Sequence, residues 1–390
     1  MKRSPVFILF LFLSLYLYGQ DVSVEAKGVG TDRNMALHDA FRMAVSQAVG
    51  TYVQAETQVE NFITIKDAIV TKATGYIKKY EILKEVPLPG SYEITIRAEV
   101  STDPLKQDAN ILAQFIGGLR FLVLYDSREF NDLENTAGEF ITERFNEALS
   151  ERKIRYIEKN RFNQIKGEAL RTLLNDTSEA SYVQKLGLLA DAEFIIFVKN
   201  VRIQSEKKGE VWSTKVTIDV KAYDNCTAEG LGTVVMEGSY KLNPDRESSL
   251  RIASGDAVLQ GFDSLMLLFN QYLGEWISSG APFELKFYGM GSPRSLRALI
   301  LKLQSDPDYG GQMSDPSIVE NVIKLNMTFK KKPFDLYNKI IDYADEIPEL
   351  KAKEVDARIM YGRQISFAPL NVTVPDAIER KKTETSPSVN

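Results

Sequence analysis

Two strand-to-helix turns in this 390-residue chain carry the Gly-x-Gly spacing that brings backbone N–H groups close to a bound anion. The first reads Gly28-Val29-Gly30-Thr31-Asp32-Arg33 and the second Gly289-Met290-Gly291-Ser292-Pro293-Arg294. A dinucleotide fingerprint needs a third glycine at the sixth place, and both turns have arginine there. Neither is therefore a cofactor site by itself, and no cofactor is expected. In the second turn Gly289, Gly291, Ser292, Arg294 and Arg297 could still hold a carboxylate or phosphate on free helix N–H groups and two guanidiniums. The plain alternative is that these glycines serve turns that require positive φ.

Other chemistry is sparse. His38 is the only histidine, so no histidine pair for zinc and no hydrolase triad with a choice of bases can be assembled. It reads as a helix residue at the flank of an apolar stripe. Cys226 is the only cysteine, which forbids an intramolecular disulfide; in Tyr223-Asp224-Asn225-Cys226 it reads as a free or buried thiol. Asp126, Asp191, Glu193 and Asp219 stand at strand ends or in a hairpin, where a pair of carboxylates could hydrolyse a glycan. With 53 acidic residues, however, chance pairs are expected. No catalytic or metal-binding set is predicted. Trp212, Tyr240 and Trp276 are the aromatics weighed as partner anchors, Trp212 foremost.

The elements that position these residues fall into three segments. In residues 21–103 a strand ends at Gly28-Val29-Gly30, and Thr31 or Asp32 caps a helix running to about residue 53. Leu37, Phe41, Ala44, Val45, Ala48 and Tyr52 form one helical stripe. A second helix at about 63–74 leads into two strands, the last with Tyr92, Ile94, Ile96, Ala98 and Val100 alternating. Residues 112–280 begin with the apolar run Phe121–Tyr125, a buried strand. Then follow a helix at 135–152, a strand at 154–157, helices at 161–174 and 180–189, a long hairpin turning at Gly209, a strand and a closing helix at 253–277. The opening βαβ order predicts a mixed sheet, parallel first and antiparallel later. Residues 281–370 alternate βαβαβ, with the last strand at 358–367, a ferredoxin-like arrangement. The fold class is α+β, three small sandwich domains, with a disordered tail at 371–390.

Lys2 and Arg3, the apolar run 6–17 and Gly19-Gln20-Asp21 make residues 1–19 a secretory signal peptide. Its removal takes two positive charges and no acid, leaving the chain more acidic than its formal −5. No basic block favours nucleic acid, and no second long apolar run favours a membrane span after signal removal. A periplasmic or otherwise extracytoplasmic location is expected.

The residues Val24-Glu25-Ala26-Lys27-Gly28-Val29-Gly30, the helix around Ala36-Leu37-His38-Asp39-Ala40-Phe41, Gln47-Ala48-Val49-Gly50, Gly75-Tyr76-Ile77 and the closing strand at 92–100 resemble the amino-terminal domain of the flagellar assembly protein T family. Residues 119–280 resemble that family's middle domain, itself similar to the amino-terminal domain of TolB. The resemblance rests on Leu188-Leu189-Ala190-Asp191-Ala192, the strand after it and the long hairpin. The third segment departs from the family's carboxy-terminal domain. The resemblance implies a periplasmic scaffold or adaptor of envelope machinery, in its narrow version associated with the flagellar basal body. Its partners would be envelope or basal-body proteins, with homo-oligomer formation in reach. The other readings are an extracytoplasmic carboxylate-based glycan hydrolase and a periplasmic small-anion binding protein.

Overall fold

The computed structural model describes residues 21–56, 62–116, 118–158 and 179–374. The signal peptide expected at 1–19, the helix expected at 161–174 and nearly all of the tail expected at 371–390 lie outside the described residues. The chain divides into two compact units, Met1–Tyr52 with Ala73–Gln107 and Val53–Lys72 with Asp108–Asn390.

The smaller unit holds β1 (Val22–Gly30), helix α1 (Arg33–Glu56), β2 (Ile77–Leu88) and β3 (Ser91–Val100). Its antiparallel sheet runs β1-β3-β2. Ile94, Ile96, Ala98 and Val100 alternate onto one buried face of the central strand, as their spacing predicts. Asp32 starts α1, its Oδ1 accepting from Met35 N at 2.9 Å. Phe41, Ala44, Val45 and Ala48 of the expected stripe are buried, joined by Ala36, Ala40 and Val49, whereas Leu37 is only half-buried.

Helix α2 (Phe62–Thr71) does not join this sheet. It belongs to the larger unit, where Ile65, Ala68 and Ile69 are buried and it packs on the long helix described below. Helix α3 (Thr102–Ile116) follows the smaller sheet and carries Asp103-Pro104 in its first turn. A proline in the first turn removes only an N–H that would have no partner anyway, so it begins this helix instead of breaking it.

The larger unit carries two sheets. The first runs β4-β5-β6-β7, with β4 (Phe121–Tyr125) parallel to β5 (Phe194–Lys208). β6 (Val211–Asp224) pairs antiparallel with β5, β7 (Glu229–Glu237) and β8 (Lys241–Asn243). The mixed sheet matches expectation, except that the strand foreseen at 154–157 is a single bridge between Phe121 and Tyr156. Helix α4 (Asp132–Glu151) starts at a capping box in which Asn131 Oδ1 accepts from Glu134 N and Glu134 Oε2 accepts from Asn131 N. Asn131→Ala is expected to cost about 1 kcal/mol, read as a lower urea midpoint with faster amide exchange confined to the first turn of α4. Helix α5 (Glu179–Leu189) buries Val183 and Leu186 against Leu122, Leu124, Ile195 and Phe197.

Helix α6 (Arg246–Ser279) packs across β6 and β7, also touching α2 and α4. It is long and apolar enough to cross a membrane by length and composition, and half of its most apolar stretch is buried inside the protein. Trp276 sits in its buried face, 6.1 Å from the Phe194 ring, and so is core.

The last sheet differs from the ferredoxin-like βαβαβ run. It has six strands, ordered β10-β12-β9-β14-β13 with β11 beside β12. β9 is Ala281–Tyr288, β10 Tyr309–Met313, β11 Ser317–Val319 and β12 Val322–Phe329. Helix α7 (Arg297–Gln304) follows β9, and α8 (Pro333–Glu346) and α9 (Pro348–Lys351) follow β12. The single strand expected at 358–367 is a hairpin, β13 (Val355–Tyr361) and β14 (Gln364–Pro369), reversing at Gly362, φ 54°. β14 inserts parallel beside β9, and its six residues are all buried. Segments 112–280 and 281–370, expected as separate domains, thus share one compact unit.

Candidate functional site

The carboxyl ends of parallel strands are where open α/β sheets leave room for a ligand. β4 and β5 come to that end at the Tyr125–Val198 pair, and a crevice of about 440 Å³ opens just beyond it. The chain leaving β4 is folded back by Asp126, whose Oδ1 accepts from the backbone N of Arg128 at 3.1 Å. The Arg128 side chain clamps the same carboxylate through both Nε and Nη2. Tyr125 stacks on Phe130 at 5.3 Å, and Asn135 Nδ2 donates to the carbonyls of Ser127 and Phe130. The opposite wall is β5, where the register shifts between Val198 and Asn200. Beside it, Asp219 is gripped by Arg202 at 2.7 and 2.8 Å and by Asn200 at 3.1 Å. The Arg202 bonds, despite some burial, hold the Asp219 carboxyl below its ordinary range. The crevice is polar and mixed in charge, and Asp126, Glu134 and Asp219 each serve a local fold contact.

A second concentration of charge lies at the other end of β5 and is buried. Arg363, in the β13–β14 turn, donates from Nη2 to Asp224 Oδ2 at 2.7 Å and from Nη1 to the Pro282 carbonyl at 2.6 Å. The two side chains are 2% and 0% exposed. The guanidinium lies 4.5 Å from the centre of the Trp276 ring. Asp224 also accepts from Tyr272 Oη at 2.7 Å and from Cys226 N at 2.9 Å. Gln364 Nε2 reaches Cys226 O and Glu284 Oε1. Burial works against the Arg363 charge, but Asp224, with Cys226 and Glu193, outweighs it and holds the guanidinium above its ordinary value. Burial pushes the Cys226 thiol well up, so this cysteine is a packed, unreactive group.

The acids considered from sequence are not brought together. Asp126 lines the crevice and Asp219 sits behind its wall, bonded to Asn200 and Arg202, while Asp191 and Glu193 precede β5, roughly 20 Å away along the strand at about 3.3 Å per residue. Asp191 pairs with Arg120. Gly289 and Gly291 have φ of 67° and 85°, the turn conformation of their plainer reading. Ser292 makes no capping bond, and only a four-residue 3-10 turn, Pro293–Leu296, follows it. Arg294 and Arg297 are exposed, and Ser295 Oγ bonds back to the carbonyls of Met290 and Ser292. Trp212 is half-buried under Arg246, at 5.0 Å, and its carbonyl accepts from Ser249 Oγ, so it is a packed residue rather than a bare anchor. Of the hairpin's polar row, Lys215, Thr217 and Asp219 face outward half-buried, but Ser213 is buried. His38 is exposed on α1. Sequence reasoning missed Arg363 altogether; its one trace was the turn-forming Gly362 in an apolar run.

The fold and site together define an α+β protein whose charged side chains largely brace its own loops and sheets. No family model and no curated protein matches the chain.

Proposed function

We propose that this chain is an exported, non-enzymatic adaptor of the cell envelope, acting through protein–protein contacts. The reading rests on the sequence features described above and on one structural observation. The charged residues best placed for chemistry, Asp126, Asp219 and Asp224, are each clamped by an arginine that fixes a loop or joins two sheets. Where arginine grips the carboxylate through two bonds, as at Asp126 and Asp219, the charged pair stabilises the ionised form and makes it a poor general base. Association with the flagellar basal body is the most specific version, favoured by the likeness of residues 22–100 to the amino-terminal domain of flagellar assembly protein T. Crosslinking in intact cells, followed by identification of what is captured, tests it. Recovery of basal-body or other envelope-complex proteins is the expected result; a lone monomer with no captured partner would sink the adaptor reading.

A further inference from the structure

We propose that Glu193 is a proton-operated latch on the seam between the two sheets of the larger unit. With its carboxyl protonated, the β13–β14 turn seats firmly against the end of β6; with it ionised, the seat is weakened and the turn opens more often. This inference goes beyond the adaptor reading and holds or fails independently of it.

The latch is built from backbone outward. Glu193 N donates to Arg120 O at 3.0 Å, and its carbonyl accepts from Asn225 N at 2.8 Å, so the residue is pinned between the start of β4 and the end of β6. From there its side chain meets the turn at Gly362. A Cβ on that glycine would lie 3.3 Å from Glu193 Oε1 and 3.1 Å from Cys226 Sγ, and its φ of 54° suits glycine. The carboxyl therefore packs directly on the turn backbone, with no side chain between. Although the residue as a whole is half-buried, Glu193 Oε2 is sealed from solvent and has no hydrogen-bond partner. A carboxyl with one oxygen sealed and without a donor favours its neutral form.

The surrounding charges leave little to balance an ionised Glu193. Arg363 faces it from the turn, Asp224 and Cys226 from the end of β6 and the loop after it, and Arg120 from the approach to β4. Tyr272, from α6, completes the set through Asp224. Arg363 commits Nη1 to Pro282 and Nη2 to Asp224, leaving only its Nε–H buried without an acceptor, and Arg120 is paired with Asp191. Ionising Glu193 thus adds a second buried negative charge beside a guanidinium already matched by the first. Burial, opposed by Arg363 and Arg120 and reinforced by Asp224, raises the Glu193 carboxyl to about 7. The folded state then keeps a proton that the opened state has released from about pH 4.5 upward. The seam loses stability as pH rises from there to about 7, and little beyond.

Hydrogen exchange on the full chain, corrected for intrinsic chemistry, reads the latch directly. Protection of amides in residues 355–369 is expected to fall about tenfold between about pH 6 and pH 8, while Glu193→Gln stays protected and flat across the same range. A fall below about threefold, or an equal fall in Glu193→Gln, overturns the proposal. Should that variant not fold, carbon-detected titration of Glu193 in the unaltered protein decides. A midpoint within about one unit of 7 sustains the latch, and a midpoint elsewhere ends it.

Discussion

Replacing Arg363 with methionine is expected to destabilise the larger unit by about 3–5 kcal/mol, the cost of leaving a buried carboxylate without its cation. Methionine keeps the apolar stem but deletes both charged arms and the guanidinium's contact with the Trp276 ring. Asp224, fully buried, would retain only Tyr272 Oη and backbone N–H donors. The pair itself need not contribute that much, because bringing two charges out of water offsets most of their attraction. A double variant separates the two effects. Arg363→Met with Asp224→Asn keeps an acceptor for Cys226 N, presents an amide N–H to Tyr272 Oη and removes the orphaned charge, so it should recover about 2 kcal/mol of the loss. Urea unfolding of the three proteins at one pH measures this; a double variant no more stable than Arg363→Met would mean that packing, and not charge, dominates the seam. Arg363→Lys is expected to behave more like methionine than like arginine, since one ammonium cannot span Asp224 and the Pro282 carbonyl as the guanidinium fork does.

The second large effect is expected in the smaller unit. A Cβ at Gly28 would lie 2.1 Å from the backbone N of Ala40 and 2.2 Å from the Ala36 carbonyl oxygen. Both obstacles are main chain, so they cannot rotate away as a side chain would. Gly28→Ala must push helix α1 off its sheet, at about 3 kcal/mol, the upper end of the usual cost of overpacking. Gly75, where a Cβ would meet nothing within 4 Å, is the control, and Gly75→Ala should leave stability within about 0.5 kcal/mol. Exchange of β1 and β3 amides reports the difference, and normal protection there in Gly28→Ala would refute the close approach. The glycines of a supposed phosphate turn thus serve helix–sheet contact, which explains why arginine is tolerated at the sixth place: Arg33 points to an ion pair with Glu85 instead of a pyrophosphate.

Local pattern made much of this fold readable. The alternation at Ile94, Ile96, Ala98 and Val100 and the apolar run Phe121–Tyr125 each report one face or two faces of burial, and the structure follows them. Pattern failed where a tight turn lies inside a run that reads as one strand. The run at 358–367 looks like one strand because only Gly362 interrupts it, yet Gly362 reverses the chain and sends β14 into the sheet interior. Placement in space was also hidden. Helix α2 has an apolar face that suits either sheet, and nothing local says it serves α6, some 200 residues on, where Asn270 meets Asp67 and Lys72 meets Ser278. The same holds for the buried seam. Asp224 and Arg363 are 139 residues apart, and an arginine in a turn ordinarily signals solvent.

The path of the chain between the two units carries a lesson about modularity. It leaves the smaller unit after Tyr52, lends Val53–Lys72 to the larger one, and returns at Ala73 before departing again after Gln107. The amino-terminal segment is therefore no portable cassette. A gene cut at residue 103 would carry off α2, stranding Ile65, Ala68 and Ile69 without the helix that covers them and stripping α6 of a packed neighbour. Exchange of this piece between proteins must move its sheet while leaving that one helix behind, or rebuild the surface on which the helix rests.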